Sequence, residues 1–124
     1  MKRILIVDDA ATVRMYHRGI LESAGYAVDE AVNGIEALEK ALTDTYDLYL
    51  VDVNMPRMDG YAFLRELRGH TELAQPPAVM ISTEAELLDR DKAYEAGANF
   101  YMVKPTRPES LTDHVRVLLG EHRQ

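Results

Sequence analysis

Four short runs along the chain are apolar at nearly every position: Ile4–Val7, Leu48–Val51, Ala78–Ile81 and Phe100–Val103. Runs of this length, rich in Val, Ile and aromatics, predict strands buried on both faces, as a parallel sheet requires. Ala27–Val32 is a fifth strand candidate, but it carries Asp29 and Glu30 and so belongs at an edge. Between these runs the apolar positions recur at helical spacing. Val13, Ile20, Leu21 and Ala24 share a face ahead of Gly25, which suits a C-terminal stop. Asn33, with Glu36 three residues on, predicts a capped start for a helix carrying Ile35, Leu38, Ala41 and Leu42. Asp59 is placed to cap Gly60–Arg68, and Leu87–Ala96 runs to Gly97. Pro108, whose fixed φ fits a first helical turn, opens a last helix through Leu119.

The pattern is five β–α units in strict alternation. It predicts an α/β fold with a doubly wound parallel sheet, helices on both faces and right-handed crossovers. Two edge-like strands suit the order 2-1-3-4-5, which places a ligand crevice at the carboxyl ends of strands 1 and 3. The expectation is one domain over residues 1–124, with no linker, repeat or low-complexity segment and no output domain after Leu119.

Composition narrows the function classes. Apolar residues at 47% and charged residues at 28% are ordinary for a globular protein. The absence of cysteine excludes disulfides and thiol catalysis and fits a reducing cytosol. A net charge of −7 repels phosphate backbones and anionic lipids, which argues against nucleic acid or membrane as a main partner. The apolar stretch after Met1-Lys2-Arg3 stops at Asp8, too short for a signal peptide, and no run is long enough to span a bilayer. These features predict a soluble, cytoplasmic protein.

The candidate chemistry lies at the strand ends. Strand 1 runs into Asp8-Asp9, strand 3 into Asp52, strand 4 into Ser82-Thr83, and strand 5 into Lys104-Pro105. Two carboxylates about 5 Å apart repel by roughly 3 kcal/mol at an effective dielectric near 20, so a raised pKa, a cation or a metal must offset them. Oxygen ligands without clustered His or Cys favour a hard cation, and Mg²⁺ is the usual one where phosphate is handled. Lys104 is suited to pair with Asp52 and to hold a phosphate oxygen, and Ser82 to donate to another.

With Asp8-Asp9, Asp52, Ser82 and Lys104-Pro105 set on five β–α units, the chain resembles the receiver domains of bacterial two-component response regulators. The segment from Asp52 to Gly60, DVNMPRMDG, is especially similar to the chemotaxis-type, CheY-like members, whose fold is flavodoxin-like. The resemblance implies that Asp52 is the phosphoacceptor, phosphorylated by a histidine kinase or a small phosphodonor. It implies Mg²⁺ held by Asp9, Asp52 and the backbone carbonyl of Asn54, with Asp8 acting through metal-bound water. Ser82 and Tyr101 take the positions of a switch in which the hydroxyl moves toward the phosphoryl group and the aromatic turns inward. Asn54 and Glu84 take positions that tune hydrolysis, and the Lys104–Pro105 bond is expected to be cis. Such a module catalyses its own phosphoryl acceptance and slow self-dephosphorylation and is otherwise no enzyme. Its output is binding of a target protein, with a flagellar motor switch component the leading candidate and a phosphatase a further partner. The alternative output is a phosphate sink or phosphorelay shuttle.

The chain also departs from the pattern. Ser82 stands where Thr is commoner, and Thr106 where chemotaxis regulators often carry Phe. Glu84, Glu86, Asp89 and Asp91 crowd the start of the fourth helix. The four histidines, His17, His70, His114 and His122, have no metal-ligand spacing, and Met55, Met58, Met80 and Met102 read as packing residues. A flavin carrier would need a phosphate-cradling loop where Asp8-Asp9 stand. A haloacid-dehalogenase-type phosphatase would carry both of its aspartates on strand 1.

Overall fold

The computed structural model describes residues 1–83 and 87–121. The elements alternate as read from the pattern: β1 (Arg3–Val7), α1 (Ala11–Ser23), β2 (Ala27–Ala31), α2 (Gly34–Thr43), β3 (Leu48–Asp52), α3 (Gly60–Gly69), β4 (Ala78–Ser82), α4 (Leu87–Ala96), β5 (Phe100–Val103) and α5 (Pro108–Leu118). All strand pairs are parallel, in the order β2-β1-β3-β4-β5. Among the described residues no helix is long and apolar enough to cross a membrane.

Strand alternation sorts the apolar residues into two cores, because successive side chains leave a strand on opposite faces. Leu5, Val7, Tyr49, Val51, Met80 and Tyr101 pack on one face, under Ala37 of α2, Phe63 and Leu67 of α3, and Ala93 of α4. Ile4, Ile6, Leu50, Val79, Ile81 and Met102 pack on the other, under Leu21 of α1 and Leu111 and Val115 of α5. β3 and β4 are buried along their whole length, as their unbroken apolar runs predict. β2 is the edge it was expected to be, and its acids are used there. Asp29 accepts from Arg3 and from the Tyr46 hydroxyl, while Glu30 pairs with Arg14 and Arg18.

The local signals for helix starts hold. The Asn33 side chain accepts from the Glu36 amide, and the Asp59 side chain from the Ala62 amide. One inward-face assignment needs correction, and one residue left without a face is found inside. Leu42 is half exposed, because the buried stripe of α2 is centred on Gly34, Ala37 and Ala41 and leaves Leu42 on its flank. His17, read as one of four scattered histidines, is buried in α1. It lies four residues after Val13 and four before Leu21, on the stripe those two define.

Candidate functional site

β1 pairs with β2 on one side and β3 on the other, so the connections after β1 and β3 leave to opposite faces and open a crevice at their carboxyl ends. Asp8 follows β1 directly and Asp52 is the last residue of β3. Both are buried, and Asp9 between them is exposed. Asp8, Asp9 and Asp52 each offer a carboxylate oxygen within 4.8 Å of the others.

Asp8 is held from two directions. Its Oδ1 accepts from the Ala10 amide at 2.9 Å, and its main-chain oxygen accepts from Arg14 Nη1 at 2.6 Å. Arg14 is itself anchored by Glu30 of the edge strand at 2.8 Å. The acid at the end of β2 thus orients the arginine that supports the backbone at the end of β1.

Lys104 closes the site from the far side. Its amide donates to the Ser82 carbonyl at 2.7 Å, which ties the end of β5 to the end of β4. The following peptide bond to Pro105 is cis, as expected. The Nζ donates to Asp52 Oδ1 at 2.9 Å and to Asp8 Oδ2 at 3.1 Å.

One ammonium group facing three carboxylates leaves an excess of negative charge. Burial pushes the Asp52 carboxyl above its ordinary range; the hydrogen bond and charge of Lys104 oppose this, and the charges of Asp8 and Asp9 add to it. For Lys104 burial acts against the charge, but the hydrogen bonds and charges of Asp52 and Asp8 outweigh it and raise its pKa. A cluster of oxygen donors with uncompensated charge suits a hard divalent cation, and the donor set here fits one.

The segment after Asp52 folds back over the strand end. The Val53 amide donates to the Ile81 carbonyl at 3.1 Å, and the Gly60 amide returns to the Val53 carbonyl at 2.9 Å. Arg57 adopts a left-handed φ of 71° within this loop. Asn54 is exposed. Ser82 is fully buried at the end of β4, one strand away from Asp52. Tyr101 is buried on β5, with the Arg90 guanidinium 5.6 Å from its ring centroid, so the aromatic is inward in this structure. Glu84 and Glu86 lie outside the described residues, whereas Asp89 and Asp91 sit in α4. Met55, Met80 and Met102 are core residues, and Met58 packs against the core.

The structure therefore brings together Asp8, Asp9, Asp52 and Lys104 and sets Ser82 beside them. Sequence reading missed Arg14, six residues after Asp8 in α1, because an arginine on a helix carries no local sign of the partner it meets. It also missed a group on the β5–α5 connection: Thr106 is buried, its hydroxyl lies 3.0 Å from His17 Nε2, and its carbonyl accepts from the Tyr16 hydroxyl at 2.7 Å.

Comparison with known proteins places this arrangement among relatives. The family model described as the response regulator receiver domain matches residues 4–116. The transcriptional regulatory protein ResD of Bacillus subtilis is 41% identical over 122 residues, 98% of this chain and 50% of that protein. A gliding motility regulatory protein of Myxococcus xanthus is 37% identical over 102 residues, 82% of this chain and 13% of that protein. The chain thus spans half or less of the length of these curated relatives. Among solved structures, the Vibrio cholerae chemotaxis protein CheY4 aligns with a TM-score of 0.89 at 34% identity, over 95% of this chain and 98% of that one. The receiver domain of the Pseudomonas aeruginosa sensor histidine kinase PA1611, described with a magnesium ion coordinated in its active site cleft, aligns with a TM-score of 0.89 at 30% identity, over 96% of this chain and 98% of that one.

Proposed function

Because the chain belongs to the response regulator receiver family, we propose that it is a two-component signalling switch whose phosphoacceptor is Asp52. The observation that carries this reading is the setting of Asp52: a buried carboxylate at a strand end, among acids within 4.8 Å and with Lys104 Nζ at 2.9 Å. An oxygen of Asp52 attacks the phosphorus of a phosphohistidine on a histidine kinase. The O–P bond forms as the P–N bond breaks, and the departing imidazole keeps the electron pair and takes a proton from solvent. Asp9, Asp52 and the Asn54 carbonyl, with Asp8 through water, would hold Mg²⁺, which supplies neutralisation of charge on the transferring group. Lys104 holds a second phosphoryl oxygen and Ser82 donates to a third.

Phosphorylation adds about −1.5 to −2 charges and three acceptor oxygens at this point. Moving a two-state switch from about 1% to 99% active takes roughly 5.5 kcal/mol of differential interaction. Charge-assisted bonds from Ser82 and Lys104, worth about 1.5–3 kcal/mol each, supply most of it. Ser82 and Tyr101 form the switch pair, and Asn54 and Glu84 set the lifetime of the acyl phosphate. Output is binding of a target protein by a soluble, cytoplasmic module formed by residues 1–124, with no nucleic-acid or membrane contact of its own. A flagellar motor switch component is the leading target, supported by the likeness to CheY4 over nearly all of that chain. A second reading, control of transcription, is favoured by the regulators of about twice this length among the relatives. A shuttle or phosphate sink, and service by a phosphatase, are compatible with the same site.

Incubation with acetyl phosphate and Mg²⁺, followed by intact mass and phosphosite mapping, tests the core of this reading. One phosphoryl group on Asp52 is expected, absent in Asp52→Asn. Added mass that persists in that variant overturns the acceptor assignment.

A further inference from the structure

The β5–α5 connection that carries Lys104 is bolted to α1 at a single residue. Thr106, two positions after Lys104, is 4% exposed and yet polar. Both of its polar oxygens are taken by consecutive side chains of α1: the hydroxyl by His17 Nε2 at 3.0 Å and the carbonyl by the Tyr16 hydroxyl at 2.7 Å. At its other end the segment is tied by the Lys104 amide to the Ser82 carbonyl. His17 is 3% exposed, so the pair is a hydrogen bond shielded from water at a place where two apolar side chains would otherwise pack. α1 starts three residues after Asp8. The same helix that supports Asp8 through Arg14 therefore holds the loop that delivers Lys104 to Asp8 and Asp52.

We propose that His17 is a positioning residue for phosphoryl transfer to Asp52: by holding Thr106 it fixes the loop that aims Lys104 Nζ between Asp8 and Asp52. The inference rests on the reading of Asp52 as phosphoacceptor and adds to it a residue outside the pocket. A planar ring donor or acceptor fixed by its helix, meeting a hydroxyl whose carbonyl is separately held, leaves the segment from Lys104 to Thr106 little rotational freedom. Loss of either partner frees the loop and lets the long lysine side chain sample positions away from the acids. Transfer then slows because the donor of the charge-assisted bond is less often in place.

The test compares rates of acetyl phosphate-driven phosphorylation of the intact chain at saturating Mg²⁺. His17→Leu and Thr106→Val each remove the hydrogen bond while keeping bulk, and each is expected to slow phosphorylation about tenfold. Thr106→Ser keeps the hydroxyl and is expected to restore the wild-type rate. The double variant is expected to be no slower than either single one. The decisive arm is the background of Lys104→Ala, in which His17→Leu and Thr106→Val should have no further effect, an outcome that mere loss of packing would not produce. If Thr106→Val matches wild type, or if the variants slow the Lys104→Ala protein as much as the wild type, the positioning role is overturned while the phosphoacceptor stands. If wild type itself takes no phosphoryl group on Asp52, the underlying reading fails and this inference with it.

Discussion

Gly60 lies directly on the main chain of Asp52: a Cβ at Gly60 would sit 2.3 Å from the Asp52 carbonyl oxygen and 3.1 Å from its carbonyl carbon. The obstacle is backbone at the end of the central strand, which cannot swing aside as a side-chain tip would. The first residue of α3 is thus constrained by the acid at the centre of the pocket, and Asp59 beside it supplies the helix cap.

Gly60→Ala is expected to cost about 2–4 kcal/mol, by forcing β3 and α3 apart. Gly19, inside α1, has nothing within 4 Å of its Cβ position, so Gly19→Ala is expected to gain about 0.5–1 kcal/mol from helix propensity. Urea unfolding of the two variants checks the contrast. Equal effects would mean that the close approach at Gly60 has no energetic consequence.

Asp52→Asn should stabilise the metal-free protein at neutral pH. Burial and the neighbouring Asp8 and Asp9 charges raise the Asp52 pKa, so the folded state holds that proton to higher pH than the unfolded state does. Stability is therefore lost as pH rises through the folded value, and the amide removes this loss. Lys104 keeps Asp8 at 3.1 Å, so no buried cation is stranded. The gain should fade in acid, and a variant less stable than wild type at pH 7 would refute the argument.

Mg²⁺ should stabilise wild type by about 2.7 kcal/mol when free ion reaches roughly a hundredfold its dissociation constant, and so raise its unfolding midpoint. Asp9→Asn and Asp52→Asn should blunt the rise, because each removes one oxygen donor of the cluster. Thermal unfolding with and without Mg²⁺ measures it. A full response in Asp9→Asn would remove that residue from the ligand set.

His17 predicts an acid limb of stability. Burial pushes its pKa down from 6.5 to about 4, with the Lys104 charge adding to this and the Asp8 charge opposing it. Below pH 6.5 the unfolded chain takes up a proton that the folded chain refuses until about pH 4, so stability falls across this window as pH drops. The full loss is about 3 kcal/mol. His17→Leu should flatten this limb in urea titrations between pH 7 and pH 4, and an unchanged slope would show that another group controls it.

Asn33→Ala should cost about 1 kcal/mol, since the side chain satisfies the Glu36 amide at the start of α2 at 2.9 Å. Asn33→Ser, which keeps an acceptor, should recover most of it by denaturant midpoint.

Much of this molecule follows from local chemistry in the sequence. The unbroken runs of β3 and β4 could be satisfied only by burial on both faces, and the charged Ala27–Ala31 segment only by an edge. Asn33, Asp59 and Pro108 marked helix starts through their own backbone needs. Alternation of five such units then brought Asp8, Asp9, Asp52, Ser82 and Lys104 to one rim, because parallel strands all end on the same side.

Other features were settled only in three dimensions. Sequence could list Lys104 and the acids, but the 2.9 Å and 3.1 Å bonds that make one cation serve two carboxylates depend on the tie from Lys104 to Ser82. Neither Arg14 nor His17 was given a role by the sequence, since polarity alone does not tell a solvated side chain from one with a buried partner. Their roles come from Glu30, Asp8 and Thr106, residues up to 89 positions away. Periodicity records which face of a helix turns inward, and only the packed structure supplies the polar group waiting there.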